Sequence, residues 1–488
     1  MTAPRFDPAR RRAVTFALVL VTALASFEST VVSTAMPTII GDLSGLGLYS
    51  WVFSIYLLTS TITMPVYGRL ADIYGRRKIL LIAIGLFLLG ALTCALARSM
   101  PQLIVARALQ GLGAGGLIPV ALTVSADLYT LEERARVQSL FSGVWGTASL
   151  VGPLLGAALT VSFGWRSIFS INLPLGLLAF GLVATQMVES RGTSQDPVDV
   201  AGALALAGSV IAFLFAVLQR AGRGALPWPA RLGLALAGVA LLALFVRLQR
   251  RREHPLVPPR LFTRPEIAAP YLGGVLLGTT IYGVDTYVPL FVQGARGGSA
   301  GAAGAVVTPL VFCWAASAAV SARLIPRLGF RRVARGGAIL ILVGFLALIA
   351  AALKDAGVVV ISLACALMGA GLGPSSIAQV MAVQHAAEER DRGVATSLVP
   401  FFRTTGGSLG VGVLGGILAA GLTARLGDSA DAAGRLLTGE ASPVGGVSAA
   451  TLRHAIEGAL VPVFFVLLAL AVVNLLVTSR YPGVGIQK

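Results

Sequence analysis

Charged residues are scarce in this sequence. Of its 488 residues only 12% are Asp, Glu, Lys or Arg, whereas 56% are hydrophobic, and about a quarter of the residues of soluble proteins are charged. Several apolar runs exceed the roughly 20 residues that a helix needs to cross a bilayer. A soluble fold could not bury so much apolar surface, so the composition excludes a soluble multidomain protein. We predict an all-α polytopic membrane protein.

Cysteine and histidine are also scarce. The three cysteines fall in predicted membrane spans and the three histidines in loops: Cys94, Cys313, Cys365, His254, His385 and His454. Residues so scattered form neither a disulfide framework nor a metal site. Gly111–Gly116 has the spacing of a dinucleotide-binding loop, but it lies inside an apolar run rather than between a strand and a helix. No ATP-binding loop, nucleophile–base pair or cleavable signal peptide is evident, so we expect no cofactor, no metal and no enzymatic activity.

Hydropathy divides the chain into about fourteen spans. They lie near residues 13–36, 51–69, 79–98, 102–127, 137–162, 166–188, 200–219, 230–248, 266–292, 300–322, 334–353, 357–383, 393–420 and 456–478. Most linkers are short, as in a bundle of antiparallel helices. The exception is a long external loop rich in Gly, Ala and Ser, residues 422–457.

The net charge of +17 is unevenly distributed. With the N-terminus in the cytoplasm, the basic clusters fall on the cytoplasmic side: Arg10–Arg12, Arg76–Lys78, Arg250–Arg252 and Arg331–Arg332. Positive charge in short cytoplasmic loops orients membrane helices, so these residues indicate topology and no nucleic-acid partner. Arginine greatly outnumbers lysine, which hints at a GC-rich bacterial genome. We predict a bacterial cytoplasmic (inner) membrane protein with both termini in the cytoplasm.

Three short segments recur in the second half of the chain. The pairs are GRLADIYG at Gly68–Gly75 with ARLIPRLG at Ala322–Gly329, EERAR at Glu132–Arg136 with EERDR at Glu388–Arg392, and GPLLG at Gly152–Gly156 with GGSLG at Gly406–Gly410. Each member occupies the same place in its half, relative to the second or fifth span. Two parallel six-helix bundles with two inserted helices explain this repeat. We predict an N-terminal bundle in residues 1–190, two inserted helices in 191–255 and a C-terminal bundle in 256–488.

Four charged residues stand out because they lie well inside predicted spans: Glu28, Arg107, Asp285 and Arg403. Such residues are costly in a bilayer and usually face a cavity or a partner. Burial favours the protonated form of an acid, so Glu28 is the leading candidate for the proton-carrying group, with a structural hydrogen bond as the alternative. Asp285 lies near the equivalent place in the second half. It could carry a second proton, contact a cationic substrate or form a structural pair.

The arginines and two tryptophans within spans have open roles. Arg107 could tune the protonation of a nearby acid or be purely structural. Arg403 could pair with Asp285 or bind an anionic group. Trp145 and Trp314 are either packing residues or part of the wall of a substrate cavity.

Two glycine-containing motifs indicate close contacts between helices. In GRLADIYGRRK, Gly68 and Gly75 permit a tight turn and close approach, and Asp72 lies among basic residues that include Arg76 and Arg77. A carboxylate here could meet the N-terminus of another helix, such as span 13, and latch one conformation. The alternative is an anchor that only fixes topology.

The fifth span carries the second motif, in which Gly146, Gly152, Pro153 and Gly156 lie close together. These residues predict a kinked, narrow helix face that a neighbouring helix can approach. Ordinary packing of small residues is the alternative.

These motifs resemble those of the major facilitator superfamily and, within it, the fourteen-span drug:proton antiporters of the EmrB/QacA type. Besides the loop motif and the fifth span, the similar segments are LIVARALQGLGAGG at Leu103–Gly116, ESTVVSTAMP at Glu28–Pro37 and WRSIFSINLPLG at Trp165–Gly176. The resemblance implies a major facilitator fold, a cytoplasmic gate at the loop motif and an antiporter motif in the fifth span. That family usually has Asp where this chain has Glu28.

We therefore predict a proton-coupled antiporter that exports small amphipathic or hydrophobic compounds by alternating access, a multidrug efflux activity associated with antibiotic resistance. The alternative is a dedicated exporter of an endogenous lipid, siderophore or metabolite with the same coupling. A membrane-embedded enzyme and a non-transporting sensor or scaffold have little support. The expected partners are a small-molecule substrate, protons and the lipid bilayer; we expect a monomer, and a periplasmic adaptor is left open.

Overall fold

The computed structural model describes residues 7–43, 49–189, 199–218, 226–252, 255, 257–298, 300–354, 356–426 and 449–483. Within these residues the protein consists of helices and contains no β-strand, which confirms the all-α prediction. The helices are α1 (Pro8–Leu43), α2 (Tyr49–Tyr74), α3 (Arg76–Ala95), α4 (Met100–Leu128), α5 (Leu131–Phe163), α6 (Ser167–Ser170), α7 (Asn172–Gln186), α8 (Val200–Leu218), α9 (Trp228–Arg251), α10 (Arg260–Thr263), α11 (Pro265–Leu290), α12 (Ala300–Leu353), α13 (Val358–Ala386), α14 (Arg392–Leu426) and α15 (Ala449–Thr478). A π-helical turn, Phe291–Ala295, follows α11, and a 3-10 turn, Glu389–Asp391, precedes α14.

Ten helical segments of the described residues are long and apolar enough to cross a membrane. They are α3, α4, α9, α11, α13, α14 and α15, the combined segment of α6 and α7, and both halves of α12. The other four predicted spans lie on α1, α2, α5 and α8. The chain is therefore a polytopic membrane protein, and the count of fourteen spans stays a prediction.

A single glycine separates two helices where the sequence predicted a loop. The spans near 300–322 and 334–353 form one helix, α12, with a break at Gly329, where φ is 77°. Glycine adopts positive φ readily because it has no Cβ. Gly75, the corresponding residue of the GRLADIYG segment, has φ 94° between α2 and α3. The same backbone feature thus occurs at the same place in both halves, in agreement with the sequence repeat.

The external loop is shorter than the predicted 422–457. Helix α14 continues to Leu426 and α15 begins at Ala449, so both overlap the predicted loop; residues 427–448 lie outside the described residues. The first turns of α15 carry Arg453 and Glu457, which lower the hydropathy without opposing a helix. Hydropathy alone therefore places the start of this helix too late.

The chain divides into two compact units. Unit 1 contains Met1–Ala268 and Val380–Phe401, and unit 2 contains Ala269–Gln379 and Phe402–Lys488. Helix α14 therefore contributes its first turns to unit 1 and the remainder to unit 2. The inserted helices α8 and α9 pack along each other within unit 1. The predicted bundle boundaries at residues 190 and 255 stay a prediction.

Glycines allow α4 to lie close to its neighbours in unit 1. Helix α4 packs against α2 and α3, and α1 packs against α5 and α7. A Cβ at Gly111 would collide with Thr59 of α2, and one at Gly113 would collide with the backbone of Phe87 in α3. This close packing brings the N-terminal half of α4, with its arginine, near α1.

Candidate functional site

A buried ion pair joins α1 and α4 in unit 1. Glu28 is 2% exposed and Arg107 is 1% exposed, and Nη1 of Arg107 donates to Oε1 of Glu28. The second carboxylate oxygen, Oε2, accepts a hydrogen bond of 2.8 Å from Nδ2 of Asn172 at the start of α7. The structure thus brings together two of the charges that the sequence singled out, and both oxygens of Glu28 have partners.

The guanidinium of Arg107 has further contacts. Nη1 also donates to Oε1 of Gln110 at 2.7 Å, and Nε donates to the backbone carbonyl of Val52 at 3.2 Å. The guanidinium carbon lies 4.1 Å from the centre of the Tyr56 ring, close enough for a cation–π interaction. These contacts compensate a charge that would otherwise be strongly unfavourable inside a membrane helix.

Three members of this cluster, Gln110, Asn172 and Tyr56, were not predicted from the sequence. Gln110 lies three residues after Arg107 on α4, which places both on one helix face, so its spacing could have indicated the contact. Asn172 and Tyr56 come from α7 and α2, and only the packing of those helices brings them here.

Asp285, in α11 of unit 2, has different surroundings. Its side chain is exposed, and no hydrogen bond or ion pair joins its carboxylate to the described part of the chain. Tyr282, one turn earlier, is 37% exposed and interacts electrostatically with it, as does Cys365 of α13. Asp285 is therefore an acid that solvent or a ligand can reach.

Unit 2 lacks a counterpart of Arg107. The segment ARALQG at 106–111 of α4 matches ACALMG at 364–369 of α13, so Cys365 stands where the arginine stands and Met368 replaces Gln110. The glycines that follow match as well, and a Cβ at Gly369 would collide with Leu310 of α12. The helix packing is repeated, whereas the cation and its amide partner are not.

Arg403, in α14, is bound by an amide. Its Nη2 donates to Oε1 of Gln379 at 2.8 Å, and Nε2 of Gln379 donates to the carbonyl of Pro270 at 2.6 Å. The buried Nε of Arg403 has no hydrogen-bond partner among the described residues. The structure does not bring Arg403 and Asp285 into an ion pair, one of the two roles that the sequence left open.

The two tryptophans within spans also differ. Trp145, on α5, is 38% exposed. Trp314, on α12, is partly buried against the hydrophobic core of unit 2, and its indole N–H is buried with no hydrogen-bond partner in the described residues. Both tryptophans remain candidates for a substrate-cavity wall.

The motif that the sequence placed in a loop lies on the last turns of α2 and the start of α3, with only Gly75 between the helices. It forms a network with the start of α14. The carboxylate of Asp72 is 0% exposed and accepts hydrogen bonds from the backbone N–H groups of Gly393 (3.0 Å) and Val394 (2.9 Å). These N–H groups belong to the first turn of α14, where the helix dipole favours an anion. A Cβ at Gly68 would collide with Ser397 of the same helix. The position agrees with the expected contact between Asp72 and span 13.

Basic residues extend this network along the same end of unit 1. Arg76 is 3% exposed and lies 3.2 Å from Asp72 and 3.1 Å from Asp127, whose second oxygen lies 3.1 Å from Arg392. Arg77 donates to the carbonyl of Ala184. Arg76 and Arg77 therefore bind neighbouring groups of the protein, in addition to contributing positive charge.

The glycines of the predicted antiporter motif lie on α5, which packs against α1. Gly152 and Gly156 are buried and Gly146 is half-buried. The side chain of Pro153 lies outside the described side chains. Helix α5 is continuous from Leu131 to Phe163, so the described backbone supports close packing of α1 and α5.

Two glutamates of the repeated EER segments, Glu133 and Glu388, lie outside the predicted spans, and each forms an ion pair with an arginine. Burial raises the pKa of Glu133, but the hydrogen bonds from Arg11 and from the backbone N–H of Thr130 outweigh it, so the pKa lies below its usual value. Arg264, at 2.7 Å, lowers the pKa of Glu388. Both groups are ionised at neutral pH, which makes them poor candidates for proton exchange.

The family follows from the comparison of sequences. The model of the Major Facilitator Superfamily matches residues 18–411. The chain belongs to the major facilitator superfamily. This confirms the family predicted from the motifs, while the fourteen-span antiporter branch stays a prediction.

Related proteins include named transporters. The chain is 32% identical to the multidrug transporter protein MdtP of Bacillus subtilis (strain 168) over 403 residues, which are 82% of this chain and 74% of the relative. It is 31% identical to multidrug resistance protein 3 of the same organism over 418 residues, 85% of this chain and 81% of the relative. The efflux pump dotC of Dothistroma septosporum (strain NZE10 / CBS 128990) is 32% identical over 411 residues, 82% of this chain and 70% of the relative.

Solved structures share the fold. The crystal structure of the human organic anion transporter MFSD10 has a TM-score of 0.60 at 15% identity and covers 95% of this chain and 100% of its own. The proton:xylose symporter XylE has a TM-score of 0.61 at 14% identity, with coverage of 96% and 95%. At such identities the likeness shows the fold alone. The chain is a membrane transporter of this superfamily.

Proposed function

We propose that this transporter is a proton-coupled antiporter that exports small amphipathic or hydrophobic compounds by alternating access. In this proposal it has fourteen spans and lies in a bacterial cytoplasmic membrane, with both termini in the cytoplasm. The names of the relatives support drug efflux. The observation that supports proton coupling is the buried pair of Glu28 and Arg107, because it sets a carboxylate on α1 within a segment that hydropathy predicts to span the membrane.

Protonation of Glu28 would change the contacts that hold α1 to α4. The charged carboxylate accepts from both Arg107 and Asn172. A proton on this group removes its negative charge and leaves one carbonyl oxygen as an acceptor, so the ion pair with the guanidinium becomes a weaker, neutral contact. Tyr56 and Gln110 then remain as partners of Arg107. A proton entering from outside would thus loosen the α1–α4 contact, and its release to the cytoplasm would restore it.

Asp285 is the second acid in this scheme. Its carboxylate is exposed and has no ion-pair partner in the described part of the chain, so a proton and a cationic substrate could compete for it. Competition for one carboxylate couples the two flows in opposite directions. Tyr282 next to it offers an aromatic ring, which suits an organic cation.

The energy available from protons matches this task. Each elementary charge that crosses 100 mV releases about 2.3 kcal/mol, and a tenfold concentration gradient costs about 1.4 kcal/mol. One proton at roughly 150 mV could therefore maintain a gradient of a few hundredfold for a neutral compound. A monovalent cation exchanged for one proton moves no net charge, so electrogenic export requires a second proton and a second acid.

Flux measurements in proteoliposomes test the proposal. A pH gradient is imposed, and ethidium and a pH-sensitive dye report both flows for the wild type, Glu28→Gln and Asp42→Asn. Asp42 is half-exposed and pairs with Arg166, so its variant is a matched control for loss of a carboxylate charge. We expect coupled flux in the wild type and the control, and binding without coupled flux in Glu28→Gln.

Other outcomes have definite meanings. Normal coupling in Glu28→Gln would reject its role, and Asp285→Asn would then be examined for loss of cation export. If proton flux appears only when an endogenous lipid, siderophore or metabolite is supplied, proton coupling is supported and multidrug export is rejected. Ethidium flux that ignores the proton gradient would reject proton coupling itself.

A further inference from the structure

The second inserted helix, α9, is held with one face towards unit 1. Phe245 and Gln249 are buried on that face. The carbonyl of Gly238 accepts a hydrogen bond of 2.9 Å from Ser209 of α8, and Phe213 of α8 lies against the same glycine. These contacts fix the rotation of α9 about its own axis, so the opposite face points away from the unit.

A buried hydrogen-bond cluster fixes the last turn of α9. Oδ2 of Asp199, just before α8, accepts from Nε2 of Gln249 at 2.7 Å, and Oε1 of Gln249 accepts from the backbone N–H of Val257 at 3.0 Å. Both side chains are less than 8% exposed. The end of α9 is therefore tied to the start of α8 and to the segment that leads to α10.

The outward face of α9 forms a groove of about 520 Å³. The groove is apolar in the middle of α9 and basic at the C-terminal end of the helix. The residues that line it include Val239, Leu242, Val246, Arg247, Arg250 and Arg251. Val239, Leu242, Val246 and Arg250 are spaced by three or four residues, which puts them on one stripe of the helix. We call this surface the α9 groove, and Arg247, Arg250 and Arg251 the arginine cluster.

The arginine cluster is positive and unpaired. Its three side chains are exposed, and none forms an ion pair with the described part of the chain. Helix α9 contains no Asp or Glu. The neighbouring Arg252, by contrast, lies 3.8 Å from Asp199. An anion is therefore the ligand that the charge of this cluster favours.

The dimensions of the groove match one leaflet of a bilayer. Val239 and Arg250 are eleven residues apart, which is about 16 Å along a helix, close to half of the roughly 30 Å of hydrocarbon in a bilayer. At the other end of α9, Trp228 is 69% exposed, and it lies about 33 Å from Arg250 by the same rise. Exposed tryptophans favour the membrane interface, so Trp228 and the arginine cluster mark the two surfaces of the membrane.

We propose that the α9 groove is a binding site for one anionic phospholipid. The arginine cluster binds the phosphate of the headgroup, since guanidinium groups donate paired hydrogen bonds to phosphate oxygens. One acyl chain lies along the apolar stripe from Val246 to Val239, towards the middle of the membrane. A zwitterionic lipid carries a compensating cation that the cluster repels, so the site selects for net negative charge.

Native mass spectrometry of the full chain tests this site. The protein is purified in detergent, delipidated and titrated with phosphatidylglycerol or with phosphatidylcholine of the same acyl chains. We expect one phosphatidylglycerol per chain to bind before any others, and phosphatidylcholine to bind more weakly. Each arginine near an anionic headgroup contributes roughly fivefold in affinity, so Arg247→Gln, Arg250→Gln and Arg251→Gln together should weaken the first site at least about tenfold.

Two further variants keep the test specific. Arg327→Gln, Arg332→Gln and Arg335→Gln together remove the same charge from exposed residues near the Gly329 break and should leave the first site intact. Val246→Trp fills the groove without changing charge and should weaken binding of phosphatidylglycerol but not of inorganic phosphate.

Four results would overturn the proposal. Equal binding of phosphatidylglycerol and phosphatidylcholine would show that the arginine cluster does not select for an anionic headgroup. Equal loss in the control would show that only total charge matters. Inorganic phosphate that displaces the lipid at millimolar concentration would show that the acyl chain is not bound. A dimer that Val246→Trp dissociates would make a second copy of this chain the occupant of the groove.

Discussion

Replacement of Asp72 by Asn tests whether the network at the end of α2 holds one conformation of the transporter. The carboxylate accepts two backbone N–H groups at the start of α14 and pairs with Arg76. Asparagine has one acceptor oxygen, and its NH2 group would face N–H donors. The variant therefore loses the ion pair and at least one of the two hydrogen bonds to α14.

The magnitude follows from the burial of these groups. Asp72 is 0% and Arg76 is 3% exposed, and removing one partner of a buried ion pair costs about 3–5 kcal/mol. Arg76 keeps Asp127 at 3.1 Å, so we expect a smaller loss, about 2–3 kcal/mol, of the order of one charge-assisted hydrogen bond. Such a loss lowers the population of the latched conformation relative to an open one by roughly 30- to 150-fold.

Ser397 provides the readout, because it is fully buried against Gly68. In a background with Cys94, Cys313 and Cys365 replaced by Ala, Ser397→Cys reacts with a maleimide only when α14 separates from α2. In nanodiscs we expect Asp72→Asn to raise the labelling rate at least about tenfold.

Glu133→Gln is the matched control for this experiment. It removes a carboxylate that pairs with Arg11 near the same end of unit 1, but Glu133 is 37% exposed there, and exposed pairs contribute about 0–1 kcal/mol. Its labelling rate should stay within about fivefold of the parent. Equal rates in Asp72→Asn and its parent would refute the latch, and an equal rise in the control would show general loosening instead.

Three further predictions concern single side chains. Gly68→Val should raise the labelling of Ser397→Cys as Asp72→Asn does, because its side chain collides with α14; an unchanged rate would mean that α2 and α14 accommodate the larger side chain without separating. Gln379→Leu removes the acceptor of Arg403 and should lower the midpoint of thermal unfolding, by the equivalent of about 1–3 kcal/mol in differential scanning fluorimetry; an unchanged midpoint would show that this hydrogen bond contributes nothing. Transport by Glu133→Gln should keep the wild-type pH profile from about pH 6 to 8, because Arg11 and Thr130 hold the pKa of the Glu133 carboxyl in the wild type below its usual value, so that it stays ionised there; a shifted profile would contradict that assignment.

The sequence predicted the features that depend on local chemistry. Helix positions follow hydropathy, and Gly75 was correctly placed at a tight turn because glycine tolerates positive φ. The contact of Asp72 with the start of α14 was expected because a helix N-terminus attracts a carboxylate. Gly329, which corresponds to Gly75 in the sequence repeat, also has positive φ in the structure.

Partner choice could not be predicted in the same way. Arg403 was a candidate partner for Asp285 on the grounds of charge alone, yet Gln379 occupies its guanidinium. Asn172 reaches Glu28 across 144 residues of sequence. Such contacts depend on the rotation of packed helices, and hydropathy carries no information about rotation. The two spans of α12 were predicted, but the loop between them was wrong, because the single residue Gly329 separates the two helices.

The two membrane acids show how a repeat can acquire different roles. Glu28 and Asp285 occupy similar places in their halves, and the helices that pack nearby, α4 and α13, share their glycine spacing. The first half supplies Arg107 and Gln110, so its acid is neutralised and closed to solvent. The second half has Cys365 and Met368 at the matching positions, and its acid forms no ion pair with a cation of the described residues. The exposed acid should therefore meet protons and cations first, while the paired acid responds only when its guanidinium is released. Because solvent reaches one acid and not the other, binding at the two acids would follow a fixed order, which two identical sites could not provide.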